Sequence, residues 1–146
     1  DVEVPESHYS HASQKKTVVP NRNAIMINIA IGYAISKRII KIFYAAHYND
    51  RAIYPDCRWE YIQSQNTTSN LANDEQIEII APFVEKTKEE IVRLGVELGV
   101  SFENTWSCYK GGNQSCGICG TCRERIEAFK LSKIKDPLKY SIEVEW

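Results

Sequence analysis

"QIEIIAPFVEKTKEEIVRLGVELGV" (Gln76–Val100) sets a short β-branched run directly before a helical one, and that order decides the fold. Gln76–Phe83 reads as a strand, ended by Pro82, which has no N–H for a ladder. Thr87 is a candidate N-cap, with Glu90 three residues on in capping-box position, and Gly99 is the expected C-cap. Ile91, Leu94 and Leu98 are expected to line one face of the helix between them. Upstream, "RIIKIFYAA" (Arg38–Ala46) predicts a second, fully buried strand. Before it, Asn21–Lys37 is apolar around almost its whole surface, so it predicts a buried helix, entered from Pro20 and capped by Asn21 or Asn23. Between the strands, "HYNDRAIYPDCR" is a loop, and "WEYIQSQNTTSNLAN" predicts an amphipathic helix that frays into a polar turn. Strands alternating with helices predict βαβ units and a mostly parallel sheet, an α/β fold. Two strands do not complete such a sheet. Further strands are sought in the N-terminal stretch, in the alternating tail "YSIEVEW" (Tyr140–Trp146), or outside these residues; the tail would serve as an edge strand or an oligomer contact.

The chain has 146 residues, enough for one compact domain with its own core, so a single α/β domain over 1–146 is expected. Its 43% hydrophobic and 25% charged residues exclude a disordered or fibrous chain. A net charge of -1 gives no electrostatic reason for a nucleic-acid partner, but leaves room for a nucleoside-like small molecule. The longest apolar run, "AIMINIAIGYAI" from Ala24, is interrupted by Asn28 and Gly32 and falls short of the ~20 residues that span a bilayer. No secretory pattern opens the chain, and the expected location is cytoplasmic. The first residue is Asp1 rather than Met, and a polar stretch precedes the first helix, so a fragment is expected.

Four of the five cysteines, Cys108, Cys116, Cys119 and Cys122, have the spacing C-x7-C-x2-C-x2-C. Two overlapping C-x2-C steps let thiolates converge on one ion, and the glycines between them supply a permissive backbone. Four thiolates make the closed arrangement of structural zinc, within a segment over 105–132. An iron–sulfur cluster and redox thiols or disulfides are the alternatives. Cys57 stands apart in "YPDCR": flanked by Arg51 and Arg58 it has the setting of a lowered-pKa nucleophile, and otherwise that of a small half-buried residue.

Three polar clusters flank predicted elements, where α/β proteins place ligand contacts. "VPNRN" (Val19–Asn23) enters the first helix; His47, Asp50, Arg51, Asp56 and Arg58 follow the first strand; Lys88 stands in the first turn of a helix, against its dipole preference. Singly, each reads as a cap, a surface ion pair or a solvated charge; their shared position raises the functional reading.

"VVPNRN", "YPDCR", "KTKEEIVRLGVELGV", "TWSCYKGG" and "CGICGTCRERIEAF", in this order, resemble the C-terminal two-thirds of the 7-cyano-7-deazaguanine synthase family over about 2–140. The resemblance implies a Rossmann-like adenine nucleotide α-hydrolase (PP-loop) fold, a four-cysteine Zn2+ site and a homodimer. It also implies ATP, with Mg2+, consumed to activate 7-carboxy-7-deazaguanine, ammonia as the nitrogen donor, and dehydration of the resulting amide to the nitrile preQ0 of queuosine biosynthesis. Carried over by motif, Lys88 and Arg22 would be catalytic, with Asn21 and Asn23 beside them near phosphate or nucleotide, and Asp56 and Arg58 would face the base or its carboxylate. The family's S-G-G-x-D-S loop does not occur here, and the only paired glycines, Gly111 and Gly112, lie between cysteines. The resemblance therefore predicts weak ATP binding and no complete reaction from these residues alone. Two other readings share the residues: a relative acting on another acceptor in DNA modification or antiviral defence, and a non-catalytic zinc-stabilised binding module. A nucleic-acid-binding zinc module is disfavoured, because Lys110, Arg123, Arg125 and Lys130 are offset by Glu124 and Glu127.

Overall fold

The computed structural model describes residues 3–146, so Asp1 and Val2, where the polar N-terminal stretch and the resemblance begin, lie outside the described residues. The helices are α1 (Arg22–Ser36), α2 (Trp59–Ala72), α3 (Lys88–Glu97) and α4 (Gly120–Leu131), and the strands are β1 (Lys41–Phe43) and β2 (Glu78–Ile80). Two compact units result: Val19–Thr87, and Lys88–Trp146 together with the N-terminal arm up to Val18. No described helix is long and apolar enough to cross a membrane.

In the unit Val19–Thr87, β1 and β2 are parallel, with Lys41 opposite Glu78, Ile42 opposite Ile79 and Phe43 opposite Ile80. The parallel pairing expected from the strand–helix–strand order is present. Ile27, Ile31 and Ala34 of α1, Ile62 of α2, and Ile77 and Ile79 form its core. Two expectations need correction. The first helix is not buried all round: Ile27, Ile31 and Ala34 make one buried stripe, while Ile25, Met26, Ile29 and Tyr33 are exposed. The first strand is not fully buried either, because β1 has one sheet partner and its side chains alternate, leaving Phe43 73% exposed.

α2 does not fray into a turn; it stays helical to Ala72 because its amides are bonded to β2. Asn66 donates to the Ile79 carbonyl (2.9 Å) and accepts from the Ile79 N–H (2.7 Å). One turn later Asn70 does the same with Ile77, at 3.1 and 2.9 Å. Residues 78 and 80 turn the other way, toward β1: the Glu78 N–H bonds Ile40 and the Ile80 carbonyl accepts from Tyr44, both at 2.8 Å. Two carboxamides spaced i, i+4 thus occupy the outer edge of β2 as a neighbouring strand would.

In the other unit, Val92 of α3 and Ala128 and Phe129 of α4 form the core, joined by Phe102 and Ile134. The rings of Phe102 and Phe129 meet edge to face at 5.1 Å. The buried face of α3 centres on Val92 and Gly95, with Leu98 72% exposed, so the expected Ile91–Leu94–Leu98 face is corrected by about one residue. Gly99 closes α3 as expected: φ is +70°, its N–H bonds Val96 at 3.0 Å, and the Val100 N–H bonds Gly95 at 2.8 Å. The tail is not a strand; a single parallel bridge joins Tyr140 to Ser115, with Ser141 N–H to Ser115 carbonyl at 2.9 Å. The described part of the N-terminal stretch contains no strand and forms an arm whose one regular turn is the 3-10 segment Ala12–Thr17. The Gly120 N–H bonds the Pro5 carbonyl at 3.3 Å, and Val4 packs on the cysteine cluster.

A buried ion pair joins α4 to the residues after it. Arg125 meets both carboxylate oxygens of Asp136, at 2.5 and 2.9 Å, and also donates to Thr105 Oγ1 (2.7 Å) and the Phe102 carbonyl (3.2 Å). Asp136 further accepts from the Tyr140 hydroxyl (2.7 Å) and the Leu138 N–H (3.0 Å). Burial pushes the Asp136 carboxyl up, but the bonds from Arg125, Tyr140 and Leu138 outweigh it and hold the group below its ordinary value. Asp136→Asn leaves the Arg125 charge buried without its counter-ion, and urea unfolding is expected to show a loss of about 3–5 kcal/mol. Because the folded pKa lies below the unfolded value of about 3.9, the contribution of Asp136 is complete above that pH and disappears as pH falls through the folded pKa. Acid titration of wild type and Asp136→Asn is therefore expected to show their stabilities converging below about pH 4.

Candidate functional site

The best-defined constellation is the cysteine cluster. Cys108 comes from the irregular stretch after the 3-10 turn Phe102–Asn104, Cys116 and Cys119 from the following loop, and Cys122 from the first turn of α4. Their four Sγ atoms all lie within 4.8 Å of one another, and Cys116 and Cys122 are 3.9 Å apart. Four sulfurs each about 2.3 Å from a central ion stand about 3.8 Å apart, so the spacing fits a shared metal ion. It is far outside the ~2.05 Å of a disulfide, which corrects the disulfide alternative. Backbone N–H groups of Cys116 and Cys119 point at Cys108 Sγ (3.4 Å) and Cys116 Sγ (3.3 Å), as thiolates require. Gly117 has φ +76°, and a Cβ there would sit 2.4 Å from Ile142, so this turn admits only glycine.

The electrostatics of the cluster also ask for a cation. Burial by itself raises the Cys119 thiol, but hydrogen bonds from Thr121 and from the Tyr109 and Cys122 N–H groups bring it down to about 6. Cys122 moves the other way, pushed up by burial and by the neighbouring Cys119 thiolate. Four negative sulfurs repel one another at this spacing, and a dication is what allows all four to ionise together. An ion held by all four sulfurs would keep no open coordination position for a reacting molecule.

Lys88 explains its own odd placement. Its ammonium pairs with the carboxylate of Glu124, a buried residue of α4, so an anion stands beside the first turn of α3 within the chain itself. Asn21, Arg22 and Asn23 are brought together at the start of the 15-residue α1. Asn21 occupies the N-cap position, one of the two expected, in left-handed backbone (φ 59°) and without a side-chain cap bond. Arg22 Nε donates to Asn23 Oδ1 at 3.3 Å.

Asp56 and Arg58 flank Cys57 in the 3-10 turn Pro55–Cys57 and the start of α2. The Tyr44 hydroxyl donates to the Asp56 carbonyl at 3.3 Å and lies 3.7 Å from Cys57 Sγ, which is 3.8 Å from Asp56 Oδ1. Cys57 is buried, and burial pushes its thiol up to about 12, with Asp50 and Asp56 adding to the rise against the Tyr44 hydrogen bond. The nucleophile reading of Cys57 is therefore corrected: carboxylates and burial, rather than the flanking arginines, set its state. Arg58 Nε donates to the Arg51 carbonyl at 3.0 Å, His47 Nε2 lies 3.2 Å from Asp50, and the Arg51 guanidinium stacks 3.5 Å above the Tyr48 ring. A cavity of about 390 Å3 opens here, lined by Arg51, Cys57, Arg58, Trp59, Val84 and Glu85 among others. Tyr44 and Tyr48 were not singled out by sequence pattern; the aromatic three residues before Arg51 is the signal that would have found the stack.

The chain matches the family model described as "Queuosine biosynthesis protein QueC" over residues 1–133. It is 51% identical over its whole length to a 7-cyano-7-deazaguanine synthase of Caldicellulosiruptor bescii, and 52% identical over 93% of its length to one of Archaeoglobus fulgidus. A third, from Pseudoalteromonas translucida, is 44% identical over 96% of the chain. The chain spans 66%, 57% and 64% of the length of these three relatives. A match over 1–133 and identities near one half along the chain leave one conclusion, that the chain belongs to the queuosine biosynthesis protein QueC family.

Proposed function

We propose that these residues form part of an enzyme that converts 7-carboxy-7-deazaguanine and ammonia, with ATP, to 7-cyano-7-deazaguanine. The observation that carries this reading is the 51% identity along the entire chain to a relative named for that synthase activity. In the proposed reaction the substrate carboxylate attacks the α-phosphorus of ATP and releases pyrophosphate, turning a poor leaving oxygen into AMP. Ammonia then adds to the activated carbonyl and expels AMP to leave the amide. The amide oxygen is adenylated in the same way by a second ATP, with release of pyrophosphate, and loss of AMP, which carries off the amide oxygen, and of both N–H protons gives the nitrile.

ATP enters with Mg2+, and a PP-loop fold, a homodimer and a cytoplasmic location complete the proposal. Arg22, with Asn21 and Asn23, stands at a helix start, where N–H groups and a guanidinium suit phosphate oxygens. Lys88, held by Glu124, is proposed as a second phosphate-facing cation. Asp56 and Arg58 are proposed to hold the base and its carboxylate. The metal at the four cysteines is proposed to be Zn2+ in a structural role, its charge letting Cys108, Cys116, Cys119 and Cys122 stay ionised while the loop is pinned to α4. No S-G-G-x-D-S run stands among the 146 residues, so by themselves they are expected to bind ATP weakly.

Metal analysis is expected to give about one zinc per chain without iron absorbance, and Cys119→Ser to lose the metal; an iron chromophore would replace zinc in the proposal. Calorimetric titration of the 146 residues with ATP is expected to show no micromolar binding. In a form that carries the S-G-G-x-D-S loop, Lys88→Ala and Arg58→Ala are each expected to lower kcat/KM for nitrile formation by roughly 10- to 150-fold, the worth of one charge-assisted hydrogen bond. Unchanged nitrile formation in both variants would remove these residues from the site.

A further inference from the structure

Three of the four clustered cysteines are closed to solvent: Cys108, Cys119 and Cys122 are 5%, 0% and 0% exposed. An ion seated among their sulfurs is therefore reached only when part of the cover over them moves. Among the described residues, the partly buried apolar side chains that pack on the cluster from outside it are Val4 and Tyr140. They are held very differently. The Tyr140 hydroxyl bonds Asp136 at 2.7 Å and so belongs to the buried ion pair with Arg125. Val4 belongs to the N-terminal arm, which has no such anchor.

The arm touches the cysteine stretch at two separate places. The Pro5 carbonyl accepts from the Gly120 N–H at 3.3 Å, between Cys119 and Cys122. Glu6 pairs with Lys110, in the loop between Cys108 and Cys116, and this pair is exposed. Gln14 is 6% exposed and lies against Gly120, where a Cβ would stand 2.6 Å from the Gln14 Nε2. The arm also ties itself into a loop: Gln14 Nε2 donates to the Ser7 carbonyl at 3.0 Å, and the Ser7 and Ser13 hydroxyls meet at 2.5 Å. Residues 4–14 thus move as a unit. An exposed ion pair and one long backbone hydrogen bond hold this unit weakly, whereas freeing Tyr140 disturbs a buried charge. The arm is the part of the cover that opens first.

We propose that residues 4–14 form a strap over the four-cysteine metal site: the ion enters and leaves when the strap lifts, and the bound ion in turn holds the strap down. The seat of Val4 is made of the cysteines themselves, so it keeps its shape only while a cation offsets the repulsion of the sulfurs. The proposal rests on the metal reading above and deepens it by giving the metal a route of exchange.

Release of zinc from the loaded 146-residue chain to an excess of chromogenic chelator tests it. The wild-type rate is expected to level off as chelator concentration rises, because lifting of the strap comes first. Gln14→Ala, and separately Val4→Ser combined with Glu6→Lys, are each expected to raise that plateau by roughly 5- to 50-fold at unchanged zinc content, the effect of losing a hydrogen bond and a half-buried contact. Tryptic cleavage after Lys15 and Lys16 is the second readout. It is expected to be slow in the loaded chain and fast in both variants and after zinc is stripped, while cleavage within residues 19–87 stays the same throughout. A release rate that grows linearly with chelator, a plateau shared by wild type and both variants, or an arm equally protected with and without zinc overturns the strap and leaves the metal assignment standing. A chain that binds no metal overturns both.

Discussion

The unit that carries the cysteines depends on one buried ion pair, Arg125 with Asp136. A lone charge at either position would be too costly to bury, so the pair forms as a unit and recruits every neighbour able to complete it. Arg125 reaches back to Phe102 and Thr105, ahead of the first cysteine, while Asp136 gathers Leu138 and Tyr140, beyond the last. The chain is thereby pinned on both sides of the stretch that delivers the four thiols. Tyr140 extends the effect, since it also packs against the cysteine cluster. The stretch that delivers the four thiols is thus held on both sides by hydrogen bonds that do not involve the sulfurs.

Much of this was legible from residue order. The parallel pairing, the helices α1, α2 and α3 and the left-handed glycine ending α3 follow from local patterns, and so does the convergence of the cysteines, because C-x2-C spacing is itself a geometry. What escaped is non-local. Nothing in the "TTSN" run announces that Asn70 will bond a strand seven residues on, and nothing near Arg125 points to Asp136. Periodicity also overstated burial: the many apolar positions of α1 cannot say how many neighbours exist to cover them, and only the Ile27–Ile31–Ala34 stripe is covered among the described residues.

The candidate site shows the same division. The polar motifs marked the right segments, yet the state of their side chains came from partners that motif reading does not see. Lys88 looked like a cation awaiting an anion, and Glu124, thirty-six positions away, is one anion it meets. Cys57 looked activated by the arginines beside it in sequence, whereas Asp50, Asp56 and the surrounding apolar packing keep it a neutral thiol. Sequence adjacency placed Arg51 and Arg58 as charges; their geometry divides them into a plane and a fork.

The amide ladder of α2 has a directional consequence. Asn66 and Asn70 occupy the hydrogen-bonding groups of Ile77 and Ile79, which makes β2 a terminus of the sheet. Any strand joining this sheet must therefore enter beside β1, where Lys41 and Phe43 present the opposite edge. Two side chains on a helix thus give the sheet a polarity of growth, and they make β2 a poor template for self-association however apolar its sequence.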